Sequence, residues 1–142
     1  MSTRSRIGMV LPDGTVESIY CHMDGYLKHN GLVLLDYYSD PAKLRKLLDL
    51  GGLSYLGKAL KCVEPRDSPG PLSEGTKAYR RDMGRREPGT DVSADQADFW
   101  RLYAASFDEE FGYLLRPDGW VHRKGGTRNL KLTHSAINRE RD

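Results

Sequence analysis

At 142 residues the chain has the length of one ordinary domain, and 38% hydrophobic with 30% charged residues excludes a fibrous or membrane-embedded protein. Twenty-two Lys and Arg against 20 Asp and Glu leave a net charge of +2, which excludes a whole-molecule field for nucleic acid or anionic lipid. Any attraction to an anion must therefore come from a local cluster.

No apolar run approaches the roughly 18 residues of a membrane span. Ser2 to Arg6 leads into an apolar stretch, Ile7 to Leu11, too short for the core of a secretion signal. The expectation is a cytoplasmic protein without a membrane partner. Cys21 and Cys62 are the only cysteines, which fits a reducing compartment and excludes a disulfide framework or a CxxC zinc or redox site.

Ile7 to Leu11 and Val16 to Cys21 flank Pro12-Asp13-Gly14-Thr15. Pro presets φ, Asp bonds its own backbone and Gly accepts φ > 0, so the segment predicts a β-hairpin. Asn30 is placed to cap a helix carrying Leu32, Leu35 and Tyr38, and Asp40-Pro41 ends it and starts a second. In that second helix Leu44, Leu47 and Leu48 form the buried stripe, with Gly51 as terminator. Leu53 to Lys61 reads as a helical turn and connector, and Lys61 to Val63 as a strand.

The segment from Glu64 to Gly75 is dense in Pro, Ser and Gly, as is Arg85 to Thr90, with a strand expected between them at Thr76 to Arg80. Ser93 and Gln96 have capping-box spacing before a helix from about Ala94 to Ser106, in which Ala97, Trp100, Ala104 and Phe107 step along the inward face. Pro117-Asp118-Gly119 between Tyr113 to Arg116 and Trp120 to Arg123 predicts a second hairpin. An edge strand at Leu130 to Thr133 and a flexible tail over 134–142 complete the chain.

The expected fold is therefore α+β: an antiparallel sheet of about four to five strands built from the two Pro-Asp-Gly hairpins, covered on one face by about three helices. Residues 1–133 form its single domain.

Two constellations carry chemical possibilities. Tyr20 to Tyr26 gathers a thiol, an imidazole, a carboxylate and two phenols. Cys21 and His22 point to opposite faces of a strand, which argues against a Cys-His dyad, whereas His22 and Asp24 share a face if the strand continues. They are the weak catalytic candidates, a base and its orienting carboxylate. His22, Asp24 and His29 lack the spacing of a metal site, and no cofactor motif of the GxGxxG or P-loop kind is present.

The second constellation is Tyr79-Arg80-Arg81-Asp82-Met83-Gly84-Arg85-Arg86. Forked guanidinium groups here can clamp a phosphate, so Tyr79, Arg80, Arg81, Arg85 and Arg86 are the candidate ligand-binding residues. The competing expectation is a solvated loop that pairs with the acidic stretch Asp95 to Glu110.

Three stretches, Ser2-Thr3-Arg4-Ser5-Arg6-Ile7-Gly8, Leu11-Pro12-Asp13-Gly14 and Tyr20-Cys21-His22-Met23-Asp24-Gly25-Tyr26, carry a resemblance. Gly31 to Tyr38, Leu50 to Gly57, Tyr79 to Gly84 and the late hairpin extend it over roughly three quarters of the chain. The sequence resembles a group of small phage, prophage and bacterial proteins, which often have Trp at the position of Met23 and Pro at that of Leu27. The resemblance implies a phage or mobile-element origin and brings no activity with it. The functional expectation is a non-catalytic accessory protein that binds a host protein or a nucleotide-like anion through the arginine cluster, counter-defence being one form of this. The alternatives are a small enzyme using His22 and Asp24 with the arginines as phosphate clamp, and a low-specificity nucleic-acid binder.

Overall fold

The computed structural model describes residues 3–62, 74–106 and 108–140. The first hairpin pairs β1 (Arg4–Val10) with β2 (Val16–Cys21), Ile7 opposite Ile19. Its turn closes as the residue types require. Gly14 sits at φ 88°, and the Asp13 carboxylate accepts from the Thr15 amide at 3.0 Å and its hydroxyl at 2.6 Å. Beyond β2, a π-helical turn at Leu27–Gly31 runs into α1 (Leu32–Tyr37). Asn30 caps nothing: its side-chain amide is buried and donates to the Ser5 hydroxyl at 3.0 Å.

Next, α2 (Pro41–Asp49) begins as its sequence dictates, with Asp40 accepting from the Ala42 amide at 3.0 Å and Pro41 at the first helical position. Leu53–Tyr55, expected as a helical turn, forms β3, and the strand expected from Thr76 to Arg80 shortens to β4 (Lys77–Ala78). At Tyr79 the chain turns into α3 (Tyr79–Met83), closed by Gly84 at φ 66°. The expected strand at Lys61 to Val63 reduces to a single bridge from Cys62 to Thr76, with Val63 outside the described residues.

Four elements complete the sheet and one face: β5 (Thr90–Ser93), α4 (Gln96–Ala105), β6 (Glu109–Arg116) and β7 (Gly119–Arg123). The cap of α4 is Asp95, which accepts from the Asp98 amide at 2.8 Å, because Ser93 is occupied in β5. The buried face of α4 is Phe99, Trp100 and Tyr103, while Ala97 and Ala104 are exposed. Phe107 lies outside the described residues. After β8 (Leu130–Lys131), the segment expected as a tail carries α5 (His134–Asn138). Ile137 is buried there, and the Glu140 carboxylate accepts from the amides of Leu27 at 2.7 Å and Lys28 at 2.9 Å.

The expected antiparallel sheet of four to five strands with three helices on one face is corrected. Among the described residues the sheet has eight strands in the order β4-β3-β2-β1-β6-β7-β8, with β5 also paired to β2. It is mixed, because β1 runs parallel to β6 and β2 parallel to β3. The two hairpins thus join through their first strands. Joining them this way requires a long connection, which the chain between β2 and β6 provides.

The helices also cover both faces. Ile7, Ile19 and Tyr113 face a core closed by Leu34, Leu44, Leu48 and Ile137 from α1, α2 and α5. Val16, Leu114 and Val121 face α4 through Phe99, Trp100 and Tyr103. Glycines seat α4 on the sheet: a Cβ on Gly8 would come within 2.7 Å of the Phe99 ring, and one on Gly112 within 2.7 Å of Trp100. No helix among the described residues is long and apolar enough to cross a membrane.

Candidate anion-binding groove

The arginine cluster is positioned by the end of α2 and by the two glycines that follow. Gly51 adopts φ 78°, and a Cβ there would meet the Arg80 stem at 3.0 Å. Gly52 lies against Pro88, where a Cβ would come within 2.4 Å of the ring. The Gly52 amide donates to the Pro88 carbonyl at 3.0 Å, and its own carbonyl accepts from the Tyr79 amide at 3.1 Å. The Thr90 hydroxyl donates to the Leu48 carbonyl at 2.9 Å. Together these contacts hold α3 and the loop before β5 against the C-terminal end of α2.

The space enclosed is an open groove of about 840 Å³ lined by Arg80, Arg81, Arg85 and Arg86, with Asp49 and Glu87 on its rim. The four predicted arginines therefore come together, but they do different work. Arg81 is spent on the fold: it donates to Asp82 at 2.8 Å, to the Leu60 carbonyl at 2.6 Å and to the Thr76 carbonyl at 2.9 Å. Asp82 in turn accepts from the Ala78 amide at 2.7 Å, which closes the first turn of α3. Burial works to raise the Asp82 pKa, but these hydrogen bonds outweigh it and hold the carboxyl below its usual value.

Arg80, Arg85 and Arg86 are exposed, and their guanidinium groups have no hydrogen bond or ion pair to any described residue. Arg85 lies over the ring of Tyr79, 5.5 Å from its centroid. Both carboxylates of the groove are engaged: Asp49 pairs with Arg45 at 3.0 Å, and Glu87 accepts from the Gly89 amide at 3.1 Å.

The acidic stretch finds its cations elsewhere. Glu109 pairs with Arg6, Asp108 with Arg4 and Asp98 with Arg101. Among the described residues no ion pair joins Asp95 to Glu110 with the arginine cluster, so the groove cations are not consumed by α4 and its flanks.

His22 and Asp24 are not brought together. The strand that would have aligned them ends at Cys21, and Asp24 takes φ 56°, where its carboxylate accepts from the Tyr26 hydroxyl at 3.3 Å. His22 lies on the α4 side of the sheet, where its Nδ1 receives the Tyr20 hydroxyl at 2.8 Å and Arg4 Nε at 3.4 Å. Since guanidinium can only donate, Nδ1 is the acceptor and the ring proton sits on Nε2. Burial and the Arg4 charge hold the His22 pKa below its usual value. Cys21 is buried on the opposite face, its thiol pushed up to about 11 by burial. Among the described residues no three His, Cys, Asp or Glu side chains converge as metal ligands would.

Sequence reasoning missed Arg4 and the Gly51-Gly52 floor. The alternation of Arg4 and Arg6 in an otherwise apolar strand was the available signal for the first. The paired glycines after a capped helix were the signal for the second. Comparison of the chain with protein-family models, with curated proteins and with solved structures finds no match.

Proposed function

We propose that this chain is a small non-catalytic binding protein whose ligand is a phosphate-bearing, nucleotide-like anion held by Arg80, Arg85 and Arg86. The observation that carries this reading is the set of three unpaired guanidinium groups around one groove, whose carboxylates are already engaged. Guanidinium forks match phosphate oxygens in pairs, and the volume lies in the range of small-ligand sites. Arg85, a planar guanidinium held over the Tyr79 ring, is of the type that also stacks on a planar base.

A binding role is favoured over an enzyme because Nδ1 of His22 is occupied by Tyr20 and Arg4 and Asp24 turns away. Clustering of the three free guanidinium groups around one groove favours a compact anion over an extended nucleic-acid backbone. The resemblance to phage and prophage proteins supports an accessory role in a host cytoplasm, counter-defence included.

Calorimetric titration with ADP and with inorganic pyrophosphate tests the reading. Saturable binding to the natural chain should be lost in R80A/R85A/R86A, since charge-assisted hydrogen bonds contribute about 1.5–3 kcal/mol each. Absence of binding, or equal binding by the variant, contradicts it.

A further inference from the structure

A second concave site lies on the other side of the molecule from the Arg6 and α4 layer, where α5 folds back beside the β7–β8 pair. It is an open groove of about 610 Å³ with Leu27, Phe111, Leu130 and Ala136 as its apolar part. The imidazole of His122 sits at its base, 4% exposed, with Nδ1 buried and without a hydrogen-bond partner.

Lys124, Lys131 and Arg139 stand around the groove, all exposed. Their side chains make no hydrogen bond or short ion pair to a described residue, although Lys131 is close enough to Asp118 to help lower that carboxyl's pKa. Lys124 lies over the Phe111 ring, 5.4 Å from its centroid. The one acid in the lining is Glu140, and its two oxygens are committed to the amides of Leu27 and Lys28. The groove thus combines an apolar floor with three exposed cations whose side chains make no hydrogen bond to a described residue.

From this we infer a second ligand site, for a small amphipathic carboxylate with an acyl-type apolar body. An apolar floor accepts a hydrocarbon segment that water disfavours, and the cations complement a carboxylate at one end. The volume suits a single small ligand. A protein partner needs roughly 800 Å² of its own surface buried, which a groove of this size on the edge of a short two-residue strand does not offer. The inference is independent of the arginine groove, with which it shares no residue.

The test is calorimetric titration of the full chain with laurate below its micelle concentration, and with dodecanol as the uncharged match. Laurate should bind once per chain, and dodecanol about tenfold more weakly or less well still. K124E/K131E/R139E, all surface changes, should weaken laurate about tenfold or more, while A136W should block it by filling the floor. R80A/R85A/R86A should bind laurate as the natural chain does. Equal binding of laurate and dodecanol, absence of laurate binding, or laurate affinity unchanged in the triple charge reversal would overturn the assignment. So would capture of an acidic amphipathic peptide by a chain that ignores laurate. Should A136W unfold, the charge reversals decide alone.

Discussion

Arg6 and Glu109, 103 residues apart in sequence, form a buried ion pair with Nη2 and Oε2 2.9 Å apart and side chains only 8% and 3% exposed. The guanidinium also reaches the Ser18 hydroxyl at 3.1 Å and Asp91 at 2.9 Å. One side chain of β1 therefore ties together β2, β5 and β6.

Removing one member leaves the other charged and buried, which costs about 3–5 kcal/mol. R6M should therefore lower stability by about that amount in urea denaturation. E109L should do less harm to Arg6, because Asp91 remains as a partner. R6M/E109L should recover much of the loss of R6M, since two apolar side chains replace two desolvated charges. A double variant no better than R6M would remove this account of the pair.

His22 gives a pH prediction with a definite sign. Burial and the Arg4 charge hold its folded pKa below that of an ordinary histidine, so folding favours the neutral ring. Stability from this group is present above that value and is lost as pH falls below it through the folded pKa. In a histidine NMR titration, Arg4→Gln should raise the His22 pKa toward that of an ordinary histidine and Asp24→Asn should leave it in place. A larger shift from Asp24→Asn would revive the His22–Asp24 dyad that the geometry separates.

Gly8 and Gly112 set how closely α4 lies on the sheet. Gly8→Ala and Gly112→Ala should each cost about 1–3 kcal/mol through overpacking. Their effects should not add, because both substitutions push the same helix. Denaturation midpoints of the two single variants and the double variant measure this directly, and unchanged midpoints would contradict it.

Both hairpin turns were legible because Pro-Asp-Gly determines its own backbone: Gly14 and Gly119 sit at φ 88° and 115° as expected. The start of α2 was legible for the same reason, Asp40 and Pro41 acting within one turn. What escaped was long-range. Parallel pairing of β1 with β6 leaves no local trace, and it turns two separate hairpins into one mixed sheet. The second helical face was hidden because β1 contributes Arg6 and Gly8 to it, and its apolar residues Val16, Leu114 and Val121 come from three separate strands. Tyr79 and Arg80 looked like strand, but β3 offers pairing only as far as Ala78. The arginine cluster was legible as charge. Its division into one structural and three unpaired guanidinium groups was not, since Arg81 is fixed by carbonyls of Leu60 and Thr76 that lie 21 and 5 residues away.

The most direct measurement of the anion-groove proposal is the arginine Nε–Hε region of a ¹H–¹⁵N NMR spectrum during titration with ADP. The signals of Arg80, Arg85 and Arg86 should move together and saturate, while those of Arg81 and Arg6, already committed to Asp82 and Glu109, stay in place. Spectra unchanged at high ADP, or movement of Arg81 and Arg6 to the same degree, would contradict it.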